Sequence, residues 1–514
     1  MKTKHIIIIL FSLIVAINQS CDLKREEFNK ITPGNFYKTQ TDAQLAVAAI
    51  YNRMHGIFGM NEASITMISN VAAGDMMRGV AGTYWDGLLQ HEWTENRGHY
   101  TDFLFPYYRH ITTARIVAKE IEAMSIPDNA KLPLLAETKA LGGWLAYILY
   151  DFYGSVPYPT DEMIANPKDL AYPAKPSNEE FVKIIEELFS NKEYLMNPDH
   201  GANFGRMDKG IANIVLMKLY MLEAGRTGDT DFYNKAKVLG EEIVRSEWYK
   251  LENDYSSIFS VSNQQNKEII YARPCDYSFN GNGWHAQTLP NNIPSPINDG
   301  AGAWAVYKLL WSFYDTFNRN DLRLKTIVSE YTTYDGTLVN RENPLDNRHG
   351  LGTGCIAKKY DFDPGQIGTV SGHDMIIYRY ADVLLSMAEI LNELETISSV
   401  NAPITNQKTI DGTELTSDGG NSAFSYINAI RVRSGLAPLP TNLSKEQLRD
   451  SILMERGHEL YAEGTRRTDL IRYQRITKGQ GYKIFDPDPN KFLMPIPVRF
   501  IDEYQGHLIQ NPGY

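Results

Sequence analysis

Apolar residues recur at intervals of three and four along much of the chain, the spacing that places them on one face of an α-helix. Three such segments follow a predicted capping box, in which a Ser or Thr and a Glu or Gln three residues later bond each other's backbone N–H groups. These boxes are Thr41 with Gln44, Ser177 with Glu180, and Ser444 with Gln447. Further helices are predicted over residues 136–152, 211–224, 232–245, 375–394 and 424–433. The pattern therefore predicts a mainly α-helical protein.

Two of these segments, 211–224 and 232–245, are joined by a short glycine-containing loop. Two amphipathic helices of this length with such a loop match the size of a tetratricopeptide-type helix pair. The segments 375–394 and 424–433 predict a second pair, divided by an insertion rich in Thr, Asn, Ser and Gly. We expect tetratricopeptide-like helix pairs to form a scaffold that carries a loop-rich ligand-binding subregion.

Loop-rich excursions interrupt the helical pattern at residues 61–108 and 255–303, where a few short β hairpins are expected. No Pro- or Gly-rich linker divides the chain. The sequence therefore predicts a single domain over residues 21–514, with an N-terminal part of about 21–320 and a C-terminal part of about 321–514.

The N-terminus has the pattern of a bacterial lipoprotein signal. Lys2 and Lys4 precede an apolar run over residues 6–17, and Cys21 follows a small residue at the expected cleavage position. A helix of this run rises about 18 Å, too short for a bilayer core of roughly 30 Å. We predict that residues 1–20 are a signal peptide and that Cys21 is lipidated, so that the protein reaches the membrane only through this anchor. Plain secretion is the alternative.

Composition narrows the classes of function. The 514 residues include 51 Lys and Arg against 62 Asp and Glu, a net charge of −11. An acidic chain lacks the clustered cations that bind phosphates, so no nucleic-acid partner is expected. Three cysteines are too few for a disulfide scaffold or a multi-cysteine zinc site. With Cys21 lipidated, Cys275 and Cys355 are left either to pair or to remain free.

Aromatic residues make up 11% of the chain, and its seven tryptophans differ in their surroundings. Three lie in or beside apolar helical runs and are expected to pack in the core: Trp144, Trp248 and Trp311. Four lie in polar loops rich in Gly, Asn and Thr: Trp85, Trp93, Trp284 and Trp304. A large flat ring on a polar loop is typical of a stacking platform for sugar rings or peptide side chains. The alternative is that these loops fold back and bury the rings.

Signatures of catalysis and metal binding are absent from the sequence. There is no G-x-S-x-G elbow, Walker motif or H-E-x-x-H helix. His91 and His99 lie near Glu92 and Glu95, but their spacing does not place them on one helical face, and residues 486–490 lack the Gly and Glu of a calcium loop. We therefore predict no catalytic residue, cofactor or metal. A glycosidase carboxylate pair stays open, because it needs only two suitably separated groups.

Several segments resemble the motifs of the SusD/RagB family. Residues 375–389 are similar to its "RxAE…AEA" helix, 427–436 to its "NxIRxRAGL" segment, and 452–470 to its "ExRxELaFEGxRxxDLxR" signature. Residues 152–157 resemble its "FGdVP" turn, and the last residues, 510–514, are a typical ending. Four charged residues of the long signature recur at helical spacing and are expected to form salt bridges and caps: Arg456, Glu459, Glu463 and Asp469.

The resemblance implies a non-catalytic lipoprotein, exposed on the outer membrane of Bacteroidetes-type bacteria, with tetratricopeptide-like helix pairs behind a ligand face. It implies capture of a glycan, or of a peptide in some members, for a SusC-like TonB-dependent transporter. The family's ligand loops correspond to residues 85–93 and 284–304. The ligand contacts predicted from the loops are Trp85, Trp93, Trp284, Trp304, Tyr84, Tyr277, Asn282 and His285. Peptide capture and a lipid-anchored glycoside hydrolase are the competing hypotheses.

Overall fold

A computed structural model of the protein describes residues 36–59, 64–78, 88–89, 93–94, 104–166, 172–278, 280–295, 303–346, 350–366, 368–476 and 491–514. The helices of these residues are α1 Gln40–Met54, α2 Ile65–Ala73, α3 Tyr108–Ala123, α4 Asp128–Tyr153, α5 Asp161–Ala165, α6 Asn178–Leu188, α7 Lys209–Thr227, α8 Thr230–Arg245, α9 Trp284–Thr288, α10 Trp311–Tyr314, α11 Tyr380–Leu394, α12 Ala423–Arg433, α13 Lys445–Glu459, α14 Arg466–Arg472 and α15 Val498–Glu503. The strands are β1 Met76–Arg78, β2 Ile269–Arg273, β3 Tyr307–Leu310, β4 Ile327–Val328, β5 Tyr331–Thr332, β6 Leu338–Val339, β7 Gly354–Ala357, β8 Met375–Arg379, β9 Asn406–Lys408 and β10 Glu414–Thr416.

Helices that follow one another across short loops pack as pairs, which confirms the predicted scaffold. Only Gly228 and Asp229 separate α7 from α8. Gly228 ends α7 in the left-handed region with φ 75°, and the Asp229 side chain accepts a hydrogen bond from the first turn of α8. The pairs α3–α4 and α11–α12 pack in the same way, and α8 also packs against α11. The predicted pairs are therefore layers of one helical scaffold.

Two of the three predicted capping boxes are confirmed, at Ser177 and Ser444. The third prediction, Thr41 with Gln44, is wrong because α1 begins earlier. Thr39 is the N-cap residue, and its backbone N–H donates to Asp42 Oδ2 at 2.7 Å. Asp at the third helical position closes the box as Glu would, so the box starts two residues before the predicted one.

The predicted helix over 375–394 divides into a strand and a helix. Residues Met375–Arg379 form β8, which pairs antiparallel with β2, and α11 starts only at Tyr380. The strand segment contains adjacent isoleucines and a tyrosine, which favour extended backbone once a partner strand is available. The prediction was wrong here because β2 lies about a hundred residues earlier in the chain.

The strands of the two predicted excursions pair with distant parts of the chain. β1 and β3 pair antiparallel in a four-stranded sheet of order β1-β3-β7-β4, while β2 pairs with β8. Among the described residues, the local hairpins are β5–β6 and β9–β10, which lie outside both excursions. Short hairpins do occur, but within the described residues they lie elsewhere than predicted.

The main hydrophobic core lies between the helix pairs and the inner side of the four-stranded sheet. Trp144 is buried there, and its indole N–H donates to the Tyr378 hydroxyl at 3.0 Å. The expectation of core packing is confirmed for Trp144, while Trp248 and Trp311 are half-buried at the edge of the core. A smaller satellite cluster lies under the loops and consists of Leu289, Ile293, Tyr331, Val339, Leu351 and Ile356.

Charged residues of the C-terminal motifs form a buried ion network. Arg323, Arg379 and Arg433 all contact the carboxylate of Glu459. The other members are Asp321, Glu268, Glu455, Glu463, Lys359 and Arg431. A second set joins Arg456 to Asp382 at 2.8 Å and to Asp469 at 2.9 Å. The predicted structural role of these charges is confirmed, because each is buried in ion pairs between separate elements.

Three further findings concern the described residues only. Within them, no helix combines the length and the apolar character that crossing a bilayer requires. The same residues contain no group of three or more His, Cys, Asp or Glu side chains arranged to hold a metal ion. Cys275 is half-buried and Cys355 is buried, and both are free thiols.

Candidate ligand-binding site

The loop-rich surface that we call the loop face is formed by residues 274–278, 280–295, 303–306, 331–339 and 358–366 with 368–374. Its base is a set of buried polar contacts between distant loops. Asn282 exchanges two backbone hydrogen bonds with Ser371, at 2.8 and 2.9 Å, and its Oδ1 accepts from the Trp284 N–H at 2.9 Å. Asn282 is 1% exposed. It therefore fixes the start of α9 and offers little surface to a ligand.

Trp284 is buried under this face, which corrects the expectation of an exposed ring. The residue is 2% exposed, and its indole N–H donates to the carbonyls of Ala357 and Lys358 at 2.9 and 3.0 Å. The end of β7 thus supplies acceptors that satisfy a buried indole. In this structure Trp284 positions the loop and does not present a face to solvent.

His285 is also part of the base. Its Nε2 donates to the Tyr360 carbonyl at 3.1 Å, and its ring lies 5.4 Å from the ring of Phe362. Burial, with a smaller contribution from His373, lowers the pKa of His285 to about 4. The imidazole is therefore neutral at physiological pH and serves as a packed hydrogen-bond donor.

Of the predicted contacts that the structure describes, two are exposed, and Tyr277 is the first of them. Its hydroxyl donates to Asp363 Oδ1 at 3.0 Å, and Asp363 also accepts from the N–H groups of Gly365 and Gly372. A Cβ atom at either glycine would collide with the tyrosine ring, so the ring lies directly on their backbone. With 36% of the residue exposed, Tyr277 presents a fixed aromatic surface.

Trp304 is the second exposed contact and the largest one. The residue is 45% exposed, although its backbone is held firmly. Its N–H donates to the Ala286 carbonyl at 2.7 Å, and the next N–H, that of Ala305, donates to Leu289 at 2.9 Å. Backbone bonds to α9 and to the residue after it therefore hold an indole at the surface, which is the geometry of a stacking platform.

The remaining predicted positions are either buried or outside the described residues. Trp93 is fully buried in the main core, which corrects the expectation that it lies open on a loop. Tyr84, Trp85 and the lipidation position Cys21 lie outside the described residues. The acidic and histidine segments considered for metals, around His91 and at 486–490, also lie outside them.

Two aromatic residues of the loop face were missed. Tyr334, at the turn between β5 and β6, is 55% exposed, and its N–H donates to the Asn292 carbonyl at 3.3 Å. The Asp335-Gly336 dipeptide that follows is a strong hairpin-turn signal and would have predicted a surface position for Tyr334. Phe362 is half-buried, with the Lys358 ammonium 4.3 Å from its ring centre. No local signal in the sequence indicated that contact.

Two cavities lined by described residues lie on the helical scaffold, away from the exposed rings. A cavity of about 70 Å³ between α2, α4 and α14 is lined by Asp151, Lys218 and Asp469 and has room for a few waters. A groove of about 370 Å³ runs between α3, α4 and α6, on the scaffold. The exposed rings of Tyr277, Trp304 and Tyr334 make the loop face suited to holding an extended ligand against it.

The fold and the site together define a class of protein. Tetratricopeptide-like helix pairs form a scaffold, and the loop face in front of it exposes aromatic rings for ligand recognition. Residues 352–514 match the SusD family. The chain is 24% identical to SusD-like protein P2 of Formosa agariphila over the full length of both chains, and 24% identical to the starch-binding protein SusD of Bacteroides thetaiotaomicron over 79% of this chain and 76% of that one. The chain is therefore similar to SusD-like proteins along its length, and residues 352–514 carry the match to the SusD family.

Solved structures share the fold. A SusD superfamily protein from Parabacteroides distasonis superposes with a TM-score of 0.74 at 18% identity, covering 93% of this chain and all of that one. Surface glycan-binding protein A from Bacteroides thetaiotaomicron, in complex with laminarihexaose, superposes with a TM-score of 0.70 at 20% identity, covering 92% of this chain and 99% of the other. At these identities the likeness establishes the architecture.

Proposed function

We propose that this protein is a non-catalytic, lipid-anchored surface protein that binds an oligosaccharide on the loop face and delivers it to a SusC-like TonB-dependent transporter in the outer membrane. The exposed and backbone-anchored indole of Trp304 carries this proposal. An aromatic plane of this kind packs on the apolar side of a sugar ring, and Tyr277 adds a second fixed ring with a polar rim. The match of residues 352–514 to the SusD family and the similar proteins named for starch and glycan binding support the same ligand class.

Calorimetric titration with a panel of neutral and acidic oligosaccharides tests this function. We expect at least one glycan to bind, and Trp304→Ala to weaken it roughly 10-fold, the loss of about 1.4 kcal/mol of ring contact. Tyr194→Ala is the matched control, because Tyr194 is 42% exposed but lies on the scaffold, outside the loop face. Unchanged affinity in Trp304→Ala would show that the indole is not the platform.

The same titration with a peptide pool separates the competing ligand class. Binding of peptides without any glycan binding would replace the glycan proposal by peptide capture on this scaffold. Release of reducing ends during prolonged incubation with a bound polysaccharide would contradict the non-catalytic assignment.

Co-purification of the protein with a TonB-dependent transporter from its native membrane tests the proposed partner. Failure to recover any such transporter would count against delivery of the ligand to it.

A further inference from the structure

Two hairpins of the protein share one turn sequence, Thr-x-Asp-Gly-Thr. It occupies residues 333–337 in the hairpin β5–β6, which we call the loop-face hairpin, and residues 409–413 in the hairpin β9–β10, which we call the insertion hairpin. The glycine of each turn has left-handed backbone, with φ 86° at Gly336 and 87° at Gly412. The insertion hairpin lies between α11 and α12, outside the loop face, and so serves as an internal reference for the other.

The same hydrogen bonds build both turns. The Thr333 hydroxyl donates to Asp335 Oδ1, which also accepts from the Thr337 N–H at 3.1 Å. The equivalent residues of the insertion hairpin make the same two contacts to Asp411 Oδ1. These bonds, that of the threonine hydroxyl above all, hold the pKa of both carboxyls below their usual range, so both are ionised at neutral pH. Because the printed turn contacts use Oδ1, the second oxygen of Asp335 can accept from a ligand hydroxyl.

The two turns differ in the residue at their tip. Tyr334 of the loop-face hairpin and Ile410 of the insertion hairpin occupy the same position and are 55% and 56% exposed. Tyr334 is anchored to the loop face, since its N–H donates to the Asn292 carbonyl at 3.3 Å and its hydroxyl accepts from the Ser295 N–H at 3.4 Å. The loop-face hairpin therefore places an anchored aromatic ring directly beside an ionised carboxylate.

One segment of the chain holds both Tyr334 and the indole of Trp304. The Trp304 N–H donates to the carbonyl of Ala286, and the Tyr334 N–H donates to that of Asn292, six residues later. The satellite cluster also connects them, because it includes Tyr331 at the base of the hairpin and contacts the residue before Trp304. Six residues span about 20 Å at most, so one ligand chain of several sugar units can reach both rings.

Acidic residues dominate the charge of the loop face. Its described residues include five aspartates and two lysines, namely Asp276, Asp335, Asp361, Asp363, Asp374, Lys358 and Lys359. Lys359 is buried and paired with Glu463 at 2.6 Å, so its charge is already balanced. The surface that meets a ligand is therefore negative. Such a surface repels an anionic ligand, whereas a hydroxyl of a neutral sugar can donate to a carboxylate.

We propose that Tyr334 and Asp335 contact the glycan at the loop face, the ring by stacking and the carboxylate by accepting from a hydroxyl, and that they thereby select uncharged glycans over carboxylated or sulfated ones. This inference rests on the proposed function and names its ligand class. The selection is partly repulsive, because a carboxylate beside the stacking ring disfavours a second anion without disfavouring a neutral sugar.

Calorimetric titration with two matched pairs of probes tests the ligand class. The pairs are laminarihexaose with sulfated laminarihexaose, and the full methyl ester of hexagalacturonate with hexagalacturonate. We expect the neutral member of at least one pair to bind the native protein roughly 5-fold more tightly than the charged member, the effect of two like charges about 4 Å apart in water. The difference should shrink at about 1 M salt, where the Debye length falls to about 3 Å.

Substitutions at equivalent positions of the two hairpins locate the effect. Asp335→Asn keeps the turn, because Asn-Gly suits the same hairpins, and should remove most of the roughly 5-fold difference between the members of a pair. Asp411→Asn is the matched control and should retain the difference. Tyr334→Ala should weaken binding of the neutral member roughly 3- to 10-fold, whereas Ile410→Ala should leave it unchanged.

The possible outcomes each decide the question. Equal or tighter binding of the charged members by the native protein would overturn the selection of uncharged glycans, as would a difference that Asp335→Asn retains in full. Unchanged binding in Tyr334→Ala, or equal effects of the variants in both hairpins, would overturn the contact and leave the proposed function intact. Absence of binding to every glycan would refute both the proposed function and this inference.

Discussion

Glu459 at the centre of the buried ion network gives a sharp test of how the C-terminal motifs hold the fold together. Its two carboxylate oxygens accept from Arg379 at 2.9 Å, from Arg323 at 3.2 Å and from Arg433. The side chain is fully buried. Burial alone would raise the pKa of Glu459, but Arg433, Arg379 and Arg323 outweigh it and hold that pKa well below its usual range. The carboxylate is thus charged in the folded protein over the physiological pH range.

Glu459→Gln keeps the shape of this side chain and removes its charge. Five cations and five carboxylates of the described residues share the network, so the substitution leaves one positive charge unbalanced. The Gln amide N–H₂ must also face a guanidinium donor. Removing one partner of a buried ion pair costs about 3–5 kcal/mol, and here three arginines each lose one of their carboxylate partners. We expect the upper end of that range in urea denaturation followed by tryptophan fluorescence.

Glu503→Gln is the matched control, because Glu503 pairs with Arg109 at 2.6 Å on the surface with about half of each side chain exposed. An exposed pair contributes about 0–1 kcal/mol to stability.

Since folding depresses the pKa of Glu459, the contribution of this carboxylate to stability is present above its unfolded pKa near 4.5 and is lost as the pH falls below that value. The difference between native protein and variant should therefore shrink in acid. Equal urea midpoints for the two variants at pH 7 would refute the assigned role.

Three further changes test other features. Burial raises the pKa of Asp208, the N-cap residue of α7, to about 7. The contribution of Asp208 to stability is therefore complete below pH 4 and is lost as the pH rises through 7. Asp208→Asn should stabilise the protein by roughly 1–4 kcal/mol at pH 8 and much less at pH 5, measured by urea midpoints. A Cβ at Gly240 would overlap Met387 Sδ between α8 and α11, so Gly240→Ala should lower stability by about 1–3 kcal/mol, and an unchanged midpoint would contradict this tight packing. Cys21→Ser should move the protein from the membrane fraction to the soluble fraction of a lipoprotein-processing host, and continued membrane retention would exclude a lipid anchor at this residue.

The sequence predicted elements whose signals are local. The capping boxes at Ser177 and Ser444 and the helix pair α7–α8 depend on residues within a few positions of each other. The error at Thr41 shows the limit of this reasoning, since a Thr two residues earlier satisfied the same rule with Asp42 as its partner. The strand β8 was missed because its extended form depends on pairing with β2.

The candidate site was only partly predictable because exposure depends on distant partners. Trp284 and Trp304 lie in similar glycine-rich segments, yet one is buried and the other is open. The indole N–H of Trp284 finds its acceptors 73 and 74 residues later in the chain, and Asn282 finds Ser371 after a comparable distance. Local composition correctly indicated a loop face, but it did not distinguish the rings that support this face from those that form its surface.

The separation between supporting and surface residues has a consequence for how binding specificity can change. Trp304 and Tyr334 are held through their backbone N–H groups, so a different side chain at either position leaves those bonds in place. Asn282 and Trp284 below them keep the loops in position whichever side chains the surface carries. New ligand preferences can therefore arise, by selection or by design, through single substitutions at the surface without renewed optimisation of the scaffold.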